Sequence, residues 1–380
     1  MKLTLFFTFG VSLKQWHDSG LLDREKLLYE RLLDAGTVEK VFWLTYGSDD
    51  AGLAQTLKAQ SKLHDRIEVV QMSFGFNSPA GRFLYSILLP LLKRKILTQA
   101  DIFKTNQASG SWTAVIAKKL FKNPLIFRSG YTWSRLKATQ KISRFRSSFI
   151  KAVEKFACKN ADLTIVTTKT QADYIAEQYS VSPGIIKVIP NYIDTDIFKP
   201  DMAAEKETDR LICVGRLSGE KNLFNLISAV GKCDVALDIY GAGPLEGELK
   251  AHAENISRQV SFKGSVPNSQ IPELLNGYRY FILPSDAESM PKSLVEALAC
   301  GLVCIGTDVT GINEIITDGF NGYLATDTGI ESIAEAIRKA TAADNSQIIA
   351  DAVSNARDNF SIEAVVNSYI KLIPKLTACR

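Results

Sequence analysis

Short apolar runs rich in β-branched residues alternate with amphipathic stretches along the chain, and the alternation starts twice. The runs predict strands at Leu3–Thr8, Val41–Thr45, Ile67–Gln71, Ile102–Lys104, Leu125–Phe127 and Leu163–Thr167. Helical patterns lie between them. Arg24–Ala35 sets Leu27, Leu28, Leu32 and Leu33 on one face, with Gly36 as its C-cap. Thr113–Leu120 and Gln171–Tyr179 read the same way. Near-continuous apolar strands separated by helices imply a parallel sheet covered on both faces. After Pro190-Asn191-Tyr192, Phe198-Lys199-Pro200 and a polar stretch, Asp201–Arg210, the pattern restarts. Strands are expected at Leu211–Val214, Ala236–Tyr240, Val260–Phe262, Tyr280–Leu283 and Val303–Gly306, with helices such as Leu223–Gly231 and Ser293–Cys300. Two doubly wound α/β domains are therefore expected, at 1–198 and 199–360, with a last helix at 361–380 returning to the first. Ligands bind beyond the carboxyl ends of such strands. Two such domains facing each other across a cleft suit a two-substrate enzyme.

With 46% hydrophobic and 23% charged residues, the 380-residue chain is neither collagen-like, nor a disulfide-framed miniprotein, nor mostly disordered. Its cysteines, 158, 213, 233, 300, 304 and 379, form no CxxC pair and have no His at zinc-ligand spacing. They read as reduced thiols of a cytosolic protein. The start, MKLTLFFTFGVSL, lacks a small-residue cleavage site and reads as a buried first strand rather than a signal peptide. The longest apolar run, Phe83–Leu92, is short of the roughly 18–20 residues of a membrane span.

The segment richest in chemistry is SDAESMPKSLVEALACG, 285–301. A strand runs into a loop carrying Glu288, then a helix opens at Pro291 and stops at Gly301. Glu296 stands inside the helix, and the first-turn amides of residues 291–294 are expected to point toward any phosphate in the loop. Read by itself, the segment is equally a capped surface helix with solvated acids. VGRLSGEK, 214–221, is a strand followed by a polar Gly turn with two cations, Arg216 and Lys221, which suit a diphosphate. IYGAGP, 239–244, brings Gly243 in a turn that permits close backbone approach. FKGSVP, 262–267, is a third strand-to-turn passage.

Taken in order, these motifs, with the EALACG helix and TGINEIITDGFNGYLA after it, resemble the donor-binding half of retaining glycosyltransferase family 4, whose fold is GT-B: two doubly wound Rossmann-like domains facing a cleft. IPNYIDTDIFKP, 189–200, is similar to that family's interdomain connection. The resemblance implies transfer of a hexose-type unit from a nucleoside diphosphate sugar, UDP- or GDP-linked, with retention, to a glycan or lipid-linked acceptor. It implies that Arg216 and Lys221 hold the diphosphate and stabilise the leaving group. Glu288 would contact the transferred sugar, and Glu296 the ribose hydroxyls. The backbone of Ser289, Met290, Pro291, Lys292, Ser293 and Leu294 would meet sugar and phosphate, and the Lys263–Val266 turn would frame the base. No protein nucleophile is assigned. The nucleotide sugar is a co-substrate, and no cofactor and no metal are expected.

Two departures bear on the site. Ser289-Met290 stands where the family often has Gly-Phe. Arg128-Ser129-Gly130-Tyr131 stands where many members carry a His; His17 is an alternative substitute, but Gly130 and Tyr131 are the preferred lining residues. Asp194 and Asp196 have the DxD spacing of a metal motif, but they fall in the connection and read as part of it.

The net charge of +4 averages unlike halves, +12 over residues 1–199 and −8 over 200–380. Residues 82–159 hold 17 basic and 2 acidic side chains. Within them, FLYSILLPLLKRK (83–95) and SRLKATQKISRFRSSFIKAVEKF (134–156) mix apolar and basic residues. That mixture suits an anionic membrane surface, or else core-packed helices with a basic outer face. No nucleic-acid motif accompanies the charge, so no nucleic-acid partner is expected. In the loop after the first strand, Gly10, Ser12, Lys14 and Trp16 are candidates to line the cleft and meet the acceptor. Trp16 reads equally as a packing residue. Asn106 and Gln107, past another strand, are further candidates.

The enzyme is thus expected at the cytoplasmic face of the cell membrane, in surface polysaccharide biosynthesis. Other readings are a GT-B nucleotide-sugar epimerase, a nicotinamide-dependent oxidoreductase and a non-catalytic nucleotide-sugar-binding membrane scaffold. GAGPLEG lacks GxGxxG spacing, which counts against the oxidoreductase.

Overall fold

In a computed structural model, residues 1–130, 144–256 and 259–378 are described, with side chains for all but 144–146. The chain divides into two compact units, Met1–Ile189 with Val366–Arg380, and Pro190–Val365.

The first unit is a seven-stranded parallel sheet in the order β3-β2-β1-β4-β5-β6-β7. Its strands are β1 (Lys2–Phe6), β2 (Lys40–Leu44), β3 (Ile67–Val70), β4 (Ile102–Thr105), β5 (Leu125–Ser129), β6 (Leu163–Val166) and β7 (Ile186–Val188). Residues such as Leu3, Leu5, Phe42, Trp43, Phe103 and Phe127 are almost wholly buried, as strands covered on both faces require. The helix Leu22–Asp34 ends beside Gly36, which takes φ +69° just past the C-cap Ala35.

The second unit is a six-stranded parallel sheet in the order β10-β9-β8-β11-β12-β13. Its strands are β8 (Glu207–Val214), β9 (Ala236–Tyr240), β10 (Val260–Gly264), β11 (Tyr278–Leu283), β12 (Val303–Thr307) and β13 (Tyr323–Ala325). Successive residues feed opposite cores. Leu211, Ile239 and Ile282 face one, whereas Ile212, Phe281 and Leu283 face the other.

The division falls at Ile189/Pro190, before the expected boundary at 198. Hydrogen bonds explain the difference. The Ile193 N–H donates to the Phe360 carbonyl at 2.9 Å, and the Asn191 side-chain amide donates to the Met290 carbonyl at 3.3 Å. The connection is thereby part of the second unit.

Candidate active site

β8 and β11 lie side by side at the point where the second sheet's strand order reverses. A crevice for ligand opens beyond the carboxyl ends at such a point. Two loops leave there. Gly215–Ser218 runs into a 3-10 turn, Gly219–Lys221, and Pro284–Met290 runs into the helix Lys292–Ala299.

The loops are tied together. The Asp286 N–H donates to the Glu220 carbonyl at 2.9 Å. The Lys221 ammonium pairs with Glu288 Oε1, and the Ser285 hydroxyl donates to that same oxygen at 2.8 Å. Ser285 is itself held by the Thr307 hydroxyl, which donates to its carbonyl at 2.6 Å. The Lys221 and Glu288 side chains are only 18% and 13% exposed, so water screens the pair weakly. Arg216 differs. It is exposed, and its guanidinium has no hydrogen-bond or ion-pair partner among the described residues.

Below Arg216 a recess is lined by Cys213, Gly215, Lys221, Ile239 and Leu283. Burial pushes the Cys213 thiol up to about 12, against the pull of Lys221 and with the push of Glu288. At neutral pH it is a thiol, not a nucleophilic thiolate.

Bare backbone shapes both loops. A Cβ on Gly243 would come within 2.3 Å of the Leu217 carbonyl oxygen, and the Leu217 N–H donates to Ala242 at 3.1 Å. The close approach at Gly243 is therefore to the Arg216 loop. A Cβ on Gly311 (φ +87°) would come within 2.4 Å of the Ser289 carbonyl oxygen. Thr310-Gly311 thus backs the Glu288–Ser289 loop, a role not read from the sequence although the TG pair was its signal.

At the helix start, Pro291 is the N-cap and has no N–H. The expectation of donor amides at 291–294 is corrected to Lys292, Ser293 and Leu294. The Met290 side chain is buried in the core beside Leu294, and its sulfur accepts from the Asn191 N–H at 3.0 Å. Only the backbone of Met290 and Leu294 is left for the loop. The Lys292 ammonium stands over the Tyr192 ring at 5.3 Å. Glu296 is half-buried, just over a turn in.

Lys263 ends near Asp238, its ammonium 3.7 Å from the carboxylate. Asp238 also accepts from Arg210 at 2.8 Å and from the Tyr278 hydroxyl at 2.7 Å. Val266 packs against the core. Asp194 caps its own turn, accepting from the Asp196 N–H at 3.0 Å. Among the described residues no three His, Cys, Asp or Glu side chains gather as metal ligands.

In the first unit the strand order reverses between β1 and β4, and the cleft candidates leave those strand ends. Gly10 has φ +78° with open space at the missing Cβ. Ser12 N-caps the helix Leu13–Asp18 in a capping box with Gln15, and Lys14 pairs with Asp18 at 2.6 Å. Trp16 is not an acceptor platform. It is 7% exposed, stacked on Phe7 with centroids 4.1 Å apart and edge-on to Trp43. His17 is exposed beside Asp18.

Asn106 accepts from the Tyr29 hydroxyl at 3.0 Å and from the Lys104 ammonium. Gln107 approaches Gly130, whose carbonyl accepts from Thr167 at 3.2 Å. Tyr131 lies outside the described residues. Sequence reasoning missed Lys104, a fully buried cation in β4. Burial, and then the charge of Arg128, push its ammonium well below the usual lysine range. A lysine inside the apolar run Ile102–Thr105 was the visible signal.

Comparison with known proteins decides the family. Residues 28–197 match Glycosyltransferase Family 4, and residues 194–358 match Glycosyl transferases group 1. The chain belongs to glycosyltransferase family 4. The chain is 28% identical over 199 residues to the GPI3 subunit of phosphatidylinositol N-acetylglucosaminyltransferase of Saccharomyces cerevisiae, covering 49% of the chain and 44% of that protein. The match thus spans less than half of the yeast protein. It is 25% identical over 274 residues to an Escherichia coli UDP-Gal:alpha-D-GlcNAc-diphosphoundecaprenol alpha-1,3-galactosyltransferase, covering 67% of the chain and 69% of that enzyme. Its fold follows sucrose-phosphate synthase of Thermosynechococcus elongatus with TM-score 0.78 at 18% identity, over the whole of both chains. HepE of Anabaena, solved with UDP and glucose, gives 0.71 at 19%, covering 98% of this chain and 99% of that one. The two parallel-sheet, Rossmann-like domains are those of GT-B glycosyltransferases.

Proposed function

We propose that this glycosyltransferase moves a hexose-type unit, with retention and without a metal, from a nucleoside diphosphate sugar to a glycan or lipid-linked acceptor. Arg216 carries the reading. It is an exposed cation without a side-chain partner among the described residues, at the strand-order reversal, on a loop tied to Glu288 through Lys221. A guanidinium there suits bidentate binding of a diphosphate. The amides of Lys292, Ser293 and Leu294 add donors at a helix N-terminus. As the sugar–phosphate bond breaks, charge grows on the diphosphate, and fixed cations and amides stabilise that growth most.

The Lys221–Glu288 pair acts as a unit. Lys221 turns its remaining donors to phosphate, and Glu288 its remaining acceptor sites to sugar hydroxyls. Glu296 takes the ribose hydroxyls. The Escherichia coli relative supports a UDP-linked donor and a lipid diphosphate acceptor, since its name states both. The Anabaena complex supports a uridine nucleotide. Surface polysaccharide synthesis at the inner membrane face fits that acceptor and the basic first half.

The test is product analysis across UDP- and GDP-sugars with lipid-linked and free acceptors. Transfer should proceed in chelator, and NMR of the product should show the donor's anomeric configuration. Inversion, or a chelator-sensitive rate, would contradict the mechanism. Donor turnover without acceptor would instead indicate an epimerase, and donor binding without turnover a sensor. Unchanged transfer by both Arg216→Ala and Glu296→Ala would overturn the site.

A further inference from the structure

The helix Pro79–Leu92 of the first unit is apolar on the side that its own core does not cover. Tyr85, Ser86, Leu89 and Pro90 are buried. On the other side Phe83 and Leu84 are 50% exposed and Leu91 60%, with Ile87 and Leu92 also exposed. An exposed Phe or Leu singly is ordinary, but one helix presenting five such side chains needs something to cover it. At 14 residues the helix is about 21 Å long, too short for the roughly 30 Å hydrocarbon core, so it does not span.

Charge identifies the cover. Lys93, Arg94 and Lys95 follow the helix directly, Arg82 stands in its first turns, and no Asp or Glu occurs between Glu68 and Asp101. A second protein surface would be expected to answer an apolar stripe with its own apolar stripe. A stripe ending in a cluster of cations matches a bilayer interface, apolar below and anionic at its headgroups. The face also continues toward the first loop. Phe83 lies 6.5 Å from Phe9 and 6.3 Å from Trp112, ring centre to ring centre, and Phe9 adjoins Gly10. On the neighbouring helix Ser111–Phe121, Leu120 is exposed as well.

We infer that the helix Pro79–Leu92 is an in-plane membrane anchor, seating Phe83, Leu84, Ile87 and Leu91 in the interface of an anionic bilayer, with Arg94 and Lys95 at its headgroups. This deepens the membrane part of the proposed function and rests on it only for the acceptor. It places the anchoring energy in a particular apolar face, rather than in the general positive charge of the first half.

Sedimentation of the full chain with vesicles of phosphatidylcholine plus phosphatidylglycerol tests it. Wild type should bind, and a substantial part of that binding should persist at high salt, because the apolar contribution is not screened. The combined variant Leu84→Gln, Ile87→Gln, Leu91→Gln should partition about tenfold or more less strongly. Arg94→Gln, Lys95→Gln should lose mainly the salt-sensitive part. Glutamine suits an exposed helix position, so both variants should keep the wild-type thermal transition. Vesicle binding by the apolar variant equal to wild type overturns the inference. So does a wild-type dimer that this variant dissociates while vesicles bind neither. Nucleotide-dependent thermal shift on the same samples reports the second unit. If UDP and GDP both fail to stabilise wild type while the vesicle result holds, the donor reading fails and the anchor stands.

Discussion

Lys221 and Glu288, 67 residues apart in sequence, form an ion pair at the carboxyl ends of β8 and β11. The pair joins the turn proposed to bind phosphate to the loop proposed to bind sugar. On the proposed function Lys221 supports structure as well as chemistry, whereas the exposed Arg216 is left to the ligand. Substitutions should separate the two. Arg216→Ala should leave stability within about 0.5 kcal/mol of wild type and lower kcat/KM about a hundredfold or more. Lys221→Met should lower activity too, and also cost about 1–3 kcal/mol by leaving the Glu288 carboxylate without its cation. Urea unfolding alongside steady-state kinetics checks both. Equal stability losses would contradict the division of roles.

Trp16→Ala removes a buried ring stacked on Phe7 and edge-on to Trp43. It should cost about 3–5 kcal/mol, and Trp16→Phe markedly less. Acceptor KM for the Phe variant should stay near wild type. A rise in acceptor KM at unchanged stability would restore Trp16 to the acceptor site.

Gly311→Ala should act on the loop proposed to meet the sugar, without removing any of its side chains. The new methyl would be driven against the Ser289 carbonyl, and φ +87° disfavours any residue with a Cβ. The loop bearing Glu288 should shift, lowering kcat/KM by about tenfold or more. Gly10→Ala meets open space, so its effect should be confined to the backbone cost of about 1 kcal/mol. Kinetics and melting of both variants decide.

Alkaline stability has a definite sign. Burial holds the thiols of Cys158 and Cys213 and the phenol of Tyr46 up at about 12. The unfolded chain releases these protons first, near 8.5 for Cys and 10 for Tyr. Their contribution is complete below those values and is lost as pH rises toward about 12. Urea midpoints should therefore fall steadily from about pH 8.5 upward. A flat profile would show these groups to be solvated.

The sequence carried the central strands well because each is a long apolar run that feeds both faces of a sheet. It hid β7 and β13, which are three-residue edge strands. In Ile186–Val188 only the first residue is buried, so no apolar run marks it. The exposed start of β8, Glu207–Arg210, read as linker for the same reason. At the site, the loops and their charged residues were legible from order and spacing. What was not legible was which charges satisfy one another. The Lys221–Glu288 pairing, the three contacts of Asp238 with Arg210, Tyr278 and Lys263, and the burial of Trp16 all depend on contacts between distant segments.

The most direct measurement is calorimetric titration of UDP and GDP into wild type and Arg216→Ala. One nucleotide should bind wild type at one site per chain, with affinity falling about tenfold or more in the variant. Equal affinity for wild type and variant, or no binding of either nucleotide to wild type, would contradict donor binding by Arg216.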